Sequence, residues 1–123
     1  MGRQLAFWKY KNEMIGTDGK RINDHRKIYE TVCINEEFSV DLEVLNATDI
    51  LKHIADEFSH WDMLDEYNFE SSEGSFTVNM TDCAVLFDCS WSMQPRELNK
   101  LIDIMNSFGC SFYDPQIDTR FSL

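Results

Sequence analysis

The histidines and acids between residues 53 and 60 come closest to the spacing of a metal site. His53 and Asp56 are three residues apart, which places them on one face of a helix, and His60 would lie near that face if the helix continued. Zinc sites on helices usually show the tighter pattern H-E-x-x-H. A polar, solvated helix face explains these residues equally well, so we predict no metal and no cofactor.

Nucleophilic catalysis needs a base within hydrogen-bond reach of a hydroxyl or thiol. The chain has three histidines (His25, His53 and His60), and none lies in a known nucleophile motif. Phosphate-binding loops of the types G-x-G-x-x-G and G-K-[ST] are also absent from the sequence. We therefore predict no catalytic residues.

A group of acids at Asp62, Asp65 and Glu66 could hold Mg²⁺ for phosphoryl transfer. A nuclease, however, also needs basic residues to bind its substrate, and Lys52 is the only lysine or arginine between residues 36 and 90. We expect that the chain is not an enzyme. The enzyme alternative predicts a concave pocket that holds acids or histidine with shifted pKa values.

The charge of the chain is strongly negative and unevenly spread. Twenty-two acids face 11 lysines and arginines, for a net charge of −11, and residues 36–90 alone carry −13. Such a segment repels phosphate backbones and anionic membranes and attracts a basic protein. We therefore predict a protein partner, with no direct nucleic-acid binding and no membrane. The alternative is that the acidity only keeps the protein soluble.

The four cysteines, Cys33, Cys83, Cys89 and Cys110, form no C-x-x-C pair. A chain of 123 residues with 43 % apolar residues can bury a core without disulfides, so we predict four free thiols that act as small core residues. No run approaches the ~20 apolar residues of a membrane span, and the first residues do not resemble a secretory leader. We expect a single domain over residues 1–123 in the cytoplasm.

The first half of the chain predicts a strand and two helices. Residues 4–10 alternate so that Leu5 and Phe7 face one way and Ala6 and Trp8 the other, which indicates a strand covered on both sides. A helix is predicted near 24–33, with a cap at residue 23 or 24. Residues 34–46 suggest a short strand. A second helix is expected to begin at an N-cap at Thr48.

The second half gives the clearest β pattern. Alternation over 66–70 and 75–80, around a turn at 71–74, predicts a hairpin with one dry and one wet face, and residues 84–87 predict a more central strand. A last helix starts near Pro95 and ends before Gly109, followed by a strand at 110–113. The predicted fold class is α+β: an antiparallel β-meander in one sheet, with about three helices packed on one face.

An acidic surface is the candidate site for a partner. Carboxylates on the end of the second helix, the following loop and the wet side of the hairpin could form one negative face, with Trp61 and Tyr67 as aromatic anchors if exposed. The predicted partner-binding residues are Asp56, Glu57, Trp61, Asp62, Asp65, Glu66, Tyr67, Glu70 and Glu73. The alternative for both aromatic residues is a place in the core.

Several short stretches carry a family resemblance. They are AFWKY at 6–10, FDC at 87–89 leading into NKLIDIM at 99–105, and CSFYDPQ at 110–116 followed by RF at 120–121. Together they resemble the immunity proteins of bacterial contact-dependent growth inhibition systems, which are encoded beside polymorphic toxins.

This resemblance implies a cytoplasmic protein that binds and neutralises the C-terminal domain of a cognate toxin. Many such toxins are nucleases with basic clefts, which an acidic face that imitates a nucleic-acid backbone would occlude. A small acidic adaptor or regulatory domain without a toxin partner is the alternative. The oligomeric state stays open.

Overall fold

The computed structural model describes residues 2–11 and 24–121. In chain order we number the helices α1 to α3 and the strands β1 to β7. The helices are α1 (His25–Tyr29), which continues into a π-helical turn (Glu30–Ile34), α2 (Ala47–Glu57) and α3 (Pro95–Ser107). The strands are β1 (Arg3–Trp8), β2 (Asp62–Asp65), β3 (Asn68–Ser71), β4 (Gly74–Met80), β5 (Ala84–Cys89), β6 (Ser111–Asp114) and β7 (Thr119–Phe121).

The seven strands form one open sheet in the order β2-β3-β4-β5-β1-β6-β7, and every neighbouring pair is antiparallel. The predicted α+β class and the single antiparallel sheet are therefore confirmed. Strands β2 to β5 follow one another as a meander. The chain then crosses through α3 to β6, which runs in the same direction as β5 with β1 between them.

Strand β1 is buried on both faces, as its alternation predicts. Leu5 and Phe7 belong to a first core on one side of the sheet, and Ala6 and Trp8 belong to a second core on the other. All four side chains are 1 % exposed or less. A strand in this position needs helical cover on both sides of the sheet.

The first core lies between the sheet and the helices α2 and α3. Ile50 and Ile54 of α2 pack with Leu101 and Met105 of α3 over the inward-facing strand residues. At the β3–β4 end of this core the side chains are mostly aromatic, and the rings of Phe69 and Phe76 stack with centroids 4.9 Å apart. Burial of these large apolar side chains is the main term that holds the helices to the sheet.

The second core corrects the expectation that all helices share one face. Tyr29 of α1 and Val32 of the π-helical turn pack with Trp8 and Tyr113, on the side opposite to α2 and α3. The reason is that β1 and β5 carry apolar residues on both faces, which one helical layer cannot cover. The first helix thus supplies the second layer.

Three local predictions were wrong. Among the described residues the expected strand within 34–46 is reduced to one bridge between Tyr10 and Leu42, and the apolar residues Phe38 and Val40 are exposed. The second helix is capped by Asn46 rather than Thr48, because the Asn46 side chain accepts from the backbone N–H of Asp49 at 3.1 Å. Strands β2 and β7 were not predicted.

Helix α3 follows the prediction closely. Pro95 is its first residue, and Gly109 follows the C-cap with a φ of +83° that favours glycine. Its buried face includes an unexpected residue, Glu97, which is 2 % exposed and pairs with Arg96 and Lys100. None of the helices in the described part of the chain is long and apolar enough to cross a membrane.

The buried tyrosines predict alkaline unfolding. Burial raises the pKa of Tyr10, Tyr29 and Tyr113, and at Tyr113 the hydrogen bond that its hydroxyl donates to Asp118 raises it further. Unfolded tyrosines lose their protons first, so this stability is fully present below about pH 10 and is lost as the pH rises towards the folded pKa values. We expect the free energy of unfolding, measured by urea titration, to fall steadily above about pH 10. A free energy that stays flat there would contradict this.

The cysteines predict slow thiol chemistry in the folded state. All four are free, Cys83, Cys89 and Cys110 are buried as predicted, and burial raises the pKa of Cys33, Cys89 and Cys110 to about 12. Because the thiolate is the reactive form, a disulfide reagent such as DTNB is expected to react slowly with the native protein and rapidly with all four thiols in denaturant. Fast stoichiometric reaction without denaturant would contradict the buried placement.

Candidate protein-binding surface

The hairpin of β2 and β3 forms one edge of the sheet and holds most of the predicted site. All four residues of β2 are exposed, and no strand of the described segments lies on its outer side. The hairpin is fixed to the first core by two aromatic residues, Trp61 just before β2 and Phe69 in β3, which both pack on Phe76. The exposed acids are therefore carried by an anchored element of the sheet.

The register of this hairpin places two carboxylates directly opposite each other. Asp62 pairs with Glu70, and the next pair, Met63 with Phe69, points to the other face. Like charges in a direct cross-strand pair lower the stability of the sheet. The size of the effect is that of a typical cross-strand side-chain interaction, about 0.2–1 kcal/mol. Neither carboxylate forms an ion pair or hydrogen bond to any residue within 2–11 and 24–121, so the repulsion is not offset locally.

The turn between β2 and β3 adds two more acids. Asp65 accepts hydrogen bonds from the backbone N–H of Tyr67 at 2.8 Å and from the side-chain amide of Asn68, and these bonds lower the pKa of its carboxyl. Both groups that donate hydrogen bonds to Asp65 are uncharged, so they stabilise the carboxylate without cancelling its negative charge. Glu66, the next residue, raises the pKa of the exposed Tyr67 hydroxyl through a hydrogen bond and its charge.

We call the four carboxylates of this hairpin (Asp62, Asp65, Glu66 and Glu70) the acidic edge. All four are exposed, and no lysine, arginine or histidine of the described segments forms an ion pair with any of them. Four unneutralised charges on one short hairpin create a strong local negative potential. The acidic edge is therefore the part of the predicted site that the structure brings together.

The remaining predicted acids lie elsewhere, which corrects the expectation of one continuous face. Glu73, in the β3–β4 turn, lies 3.9 Å from Arg96. Asp56 and Glu57 end α2, which packs on the first-core side, whereas Glu70 alternates with the core residue Phe69 and points to the opposite side. The acids thus occupy three neighbouring patches around the hairpin.

The two predicted aromatic anchors differ in exposure. Tyr67 is exposed at the end of the hairpin, but Trp61 is only 6 % exposed because it packs edge-on against Phe58. Trp61 is therefore a core residue and offers little contact area. The exposed tryptophan is Trp91, at 68 %, in the loop between β5 and α3. Sequence reasoning missed it because no periodic pattern covers that loop.

The exposed apolar residues of β2 were also missed. Met63 is 51 % and Leu64 is 64 % exposed, and an aspartate stands on each side of the pair. Charged residues that flank a short apolar edge strand are a common means of preventing unwanted strand pairing. The pattern D-M-L-D at 62–65, two apolar residues between two aspartates, was the feature of the sequence that could have indicated this edge strand.

The acids at the end of α2 oppose the helix dipole. The C-terminal end of a helix carries partial negative charge and favours basic residues, yet the last turn of α2 holds Asp56 and Glu57 and no basic residue. The imidazole of His53 lies 4.0 Å from Glu57, an exposed pair of small energetic value. These acids are placed where they do not improve the stability of their own helix.

The histidines and acids of the metal alternative do not come together in the described segments. Helix α2 ends at Glu57, so His60 does not share a helical face with His53, and no group of three metal-binding side chains is found among residues 2–11 and 24–121. A cleft of about 460 Å³ lies between the β3–β4 turn and α3 and contains His60 and Glu97. In this cleft Arg96 forms ion pairs with Glu73 and Glu97, and Lys100 forms one with Glu97.

Comparisons with known proteins give no relative. No family model matches the chain, and neither the curated proteins nor the solved structures contain a significant match.

The repulsion between Asp62 and Glu70 can be tested by reversing one charge. Asp62→Lys creates an opposite-charge pair in the same cross-strand position, so we expect it to raise the free energy of unfolding by about 0.2–1 kcal/mol in urea titrations. The double variant Asp62→Lys/Glu70→Lys restores a like-charge pair and is the matched control, which should lose this gain. Equal stability of the two variants would show that the carboxylates do not interact.

Proposed function

We propose that this chain is an immunity protein that binds a cognate toxin domain and neutralises it by occluding its active site. The toxin domain that fits best is a basic nuclease. The observation that carries the proposal is the acidic edge: four exposed carboxylates that no described cation neutralises, two of them in a repulsive cross-strand pair. The family resemblance of the sequence motifs supplies the toxin as the partner.

The cost of the acidic edge supports a role in binding. A protein selected only for stability and solubility can spread its acids so that they do not face one another. Here the charges are concentrated on one hairpin, and Asp56 and Glu57 add charge at an unfavourable helix end. Sites that lower the stability of their own fold are typical of functional surfaces.

Electrostatic attraction gives such a surface a kinetic advantage. Complementary potentials steer two proteins together and can raise association rate constants to about 10⁸–10⁹ M⁻¹s⁻¹ at low salt. Fast capture suits an inhibitor that must bind its target before the target meets its substrate. A row of carboxylates also imitates the charge of a phosphate backbone, which a nuclease cleft is built to accept.

Growth rescue tests the proposal directly. The product of the neighbouring gene is expressed alone and together with this chain in a heterologous bacterium, and the two proteins are tested for co-purification. We expect the neighbour to arrest growth alone, and co-expression to restore growth and give a stable complex. A non-toxic neighbour, or an arrest that this chain does not relieve, would refute the immunity function. In that case, a stable complex with a non-toxic partner would favour the adaptor alternative.

Neutral substitutions test whether the acidic edge carries the binding. Asp62→Asn/Glu70→Gln removes two charges and also relieves their repulsion, so the variant should fold at least as well as the wild type. We expect its Kd for the toxin domain to rise at least about tenfold, mainly through a slower association rate that no longer depends strongly on salt. Glu30→Gln/Glu37→Gln removes two exposed charges at and after the π-helical turn, away from the predicted site, and should change the Kd less than about twofold. Equal Kd values for the two variants would exclude the acidic edge from the interface.

A further inference from the structure

Strand β2 leaves one side of its backbone without a partner strand among residues 2–11 and 24–121. It is the terminal strand of the sheet in these ranges, and β3 is the one described strand that pairs with it. The outward-facing N–H and C=O groups of an edge strand are a template on which another extended segment can pair. All four residues of β2 are exposed, so no helix or loop in the described part of the chain covers this template.

Apolar side chains stand on the same edge. Met63 and Leu64 are both more than half exposed. The register shifts between Met63 and Asp65, so Leu64 is the extra residue of a β-bulge. An incoming strand would find two apolar side chains to cover beside the free backbone groups.

The charges decide which strand can pair there. Two copies of this chain joined edge to edge would bring two acidic edges together, and the bulge makes an even ladder between them harder to form. A basic extended segment does not meet the charge repulsion, since its lysines or arginines would lie beside Asp62, Asp65, Glu66 and Glu70, and it brings no second bulge to the pairing. Charge complementarity therefore selects a basic strand from another protein.

We propose that β2 binds its partner by strand addition: a basic extended segment pairs with the outer side of β2, covers Met63 and Leu64, and extends the seven-stranded sheet by one strand. This inference rests on the proposed function, because the segment would belong to the toxin domain. It adds the mode of binding. Main-chain hydrogen bonds hold the segment in place, and the surrounding carboxylates select its charge.

Amide hydrogen exchange distinguishes strand addition from binding through side chains alone. The probe is a catalytically inactive toxin domain from the neighbouring gene. On complex formation, at least one amide within 62–65 should exchange at least about tenfold more slowly, because a hydrogen-bonded amide exchanges only when the strand opens. A tight complex that leaves these amides unprotected would overturn strand addition and leave the immunity function intact.

Two matched variants test the edge by affinity. Leu64→Lys places a charged side chain on the edge strand β2, where lysine opposes pairing with another strand. It should weaken toxin binding at least about tenfold. Val44→Lys makes the same charge change at an apolar loop residue that is equally exposed, 67 % against 64 % for Leu64, and should weaken binding less than about twofold. Both sites are on the surface, so thermal unfolding should confirm that both variants fold. Equal effects of the two substitutions would count against the edge.

A second probe keeps the inference testable if the neighbouring gene product does not bind. A short soluble peptide of alternating lysine and valine is titrated into the labelled protein, with the glutamate–valine peptide as control. Shifts of the 62–65 amides with the lysine peptide alone support the inference, and their absence overturns it. Concentration-dependent dimerisation of the wild type that Leu64→Lys abolishes would also overturn it, in favour of self-pairing.

Discussion

Burial of β1 on both faces is the constraint on which the rest of the structure depends. Leu5 and Phe7 need cover on one side of the sheet, and Ala6 and Trp8 need it on the other. Among the described residues the cover on the second side is short, because α1 and the π-helical turn share a core with β1, β5 and β6 but not with β2, β3 or β4. No described helix therefore covers the wet faces of β4, β3 and β2, and the acidic edge lies beyond that cover.

Asp88 shows how the same sheet accommodates an acid away from that edge. Its carboxylate accepts from the Gln4 side chain at 2.9 Å and from Asn79 at 2.7 Å, and Gln4 in turn accepts from the Tyr29 hydroxyl at 2.8 Å. This chain of neutral donors crosses three strands and links the open part of the wet face to the second core. Asp62 and Glu70 have no such partners among the described residues. The sheet therefore holds one acid whose carboxylate is hydrogen-bonded by neutral donors and two whose carboxylates are not.

Much of this fold follows from local patterns, and the misses have physical causes. Alternation located β1 and the β3–β4 hairpin, because Phe76 and Val78 face a dry core while their neighbours face water. The same alternation failed over 34–46, where none of the described strands pairs with Phe38 or Val40. The acids of the site were predictable from composition, but their separation into patches depends on register and on which side α2 packs. The choice for Trp61 between an exposed anchor and a core residue stayed open in the sequence, because its burial against Phe58 is a tertiary contact.

The place of β1 in the chain also governs when the molecule can fold. Its neighbours in the sheet are distant in sequence, since Arg3 pairs with Cys89 and Trp8 with Ser111. The hairpins between β2 and β5 are local and can form during synthesis, but β1 has no strand to pair with until the ribosome has passed those residues. Until then the nascent chain carries an apolar segment without its partner strands, open to aggregation or to a chaperone.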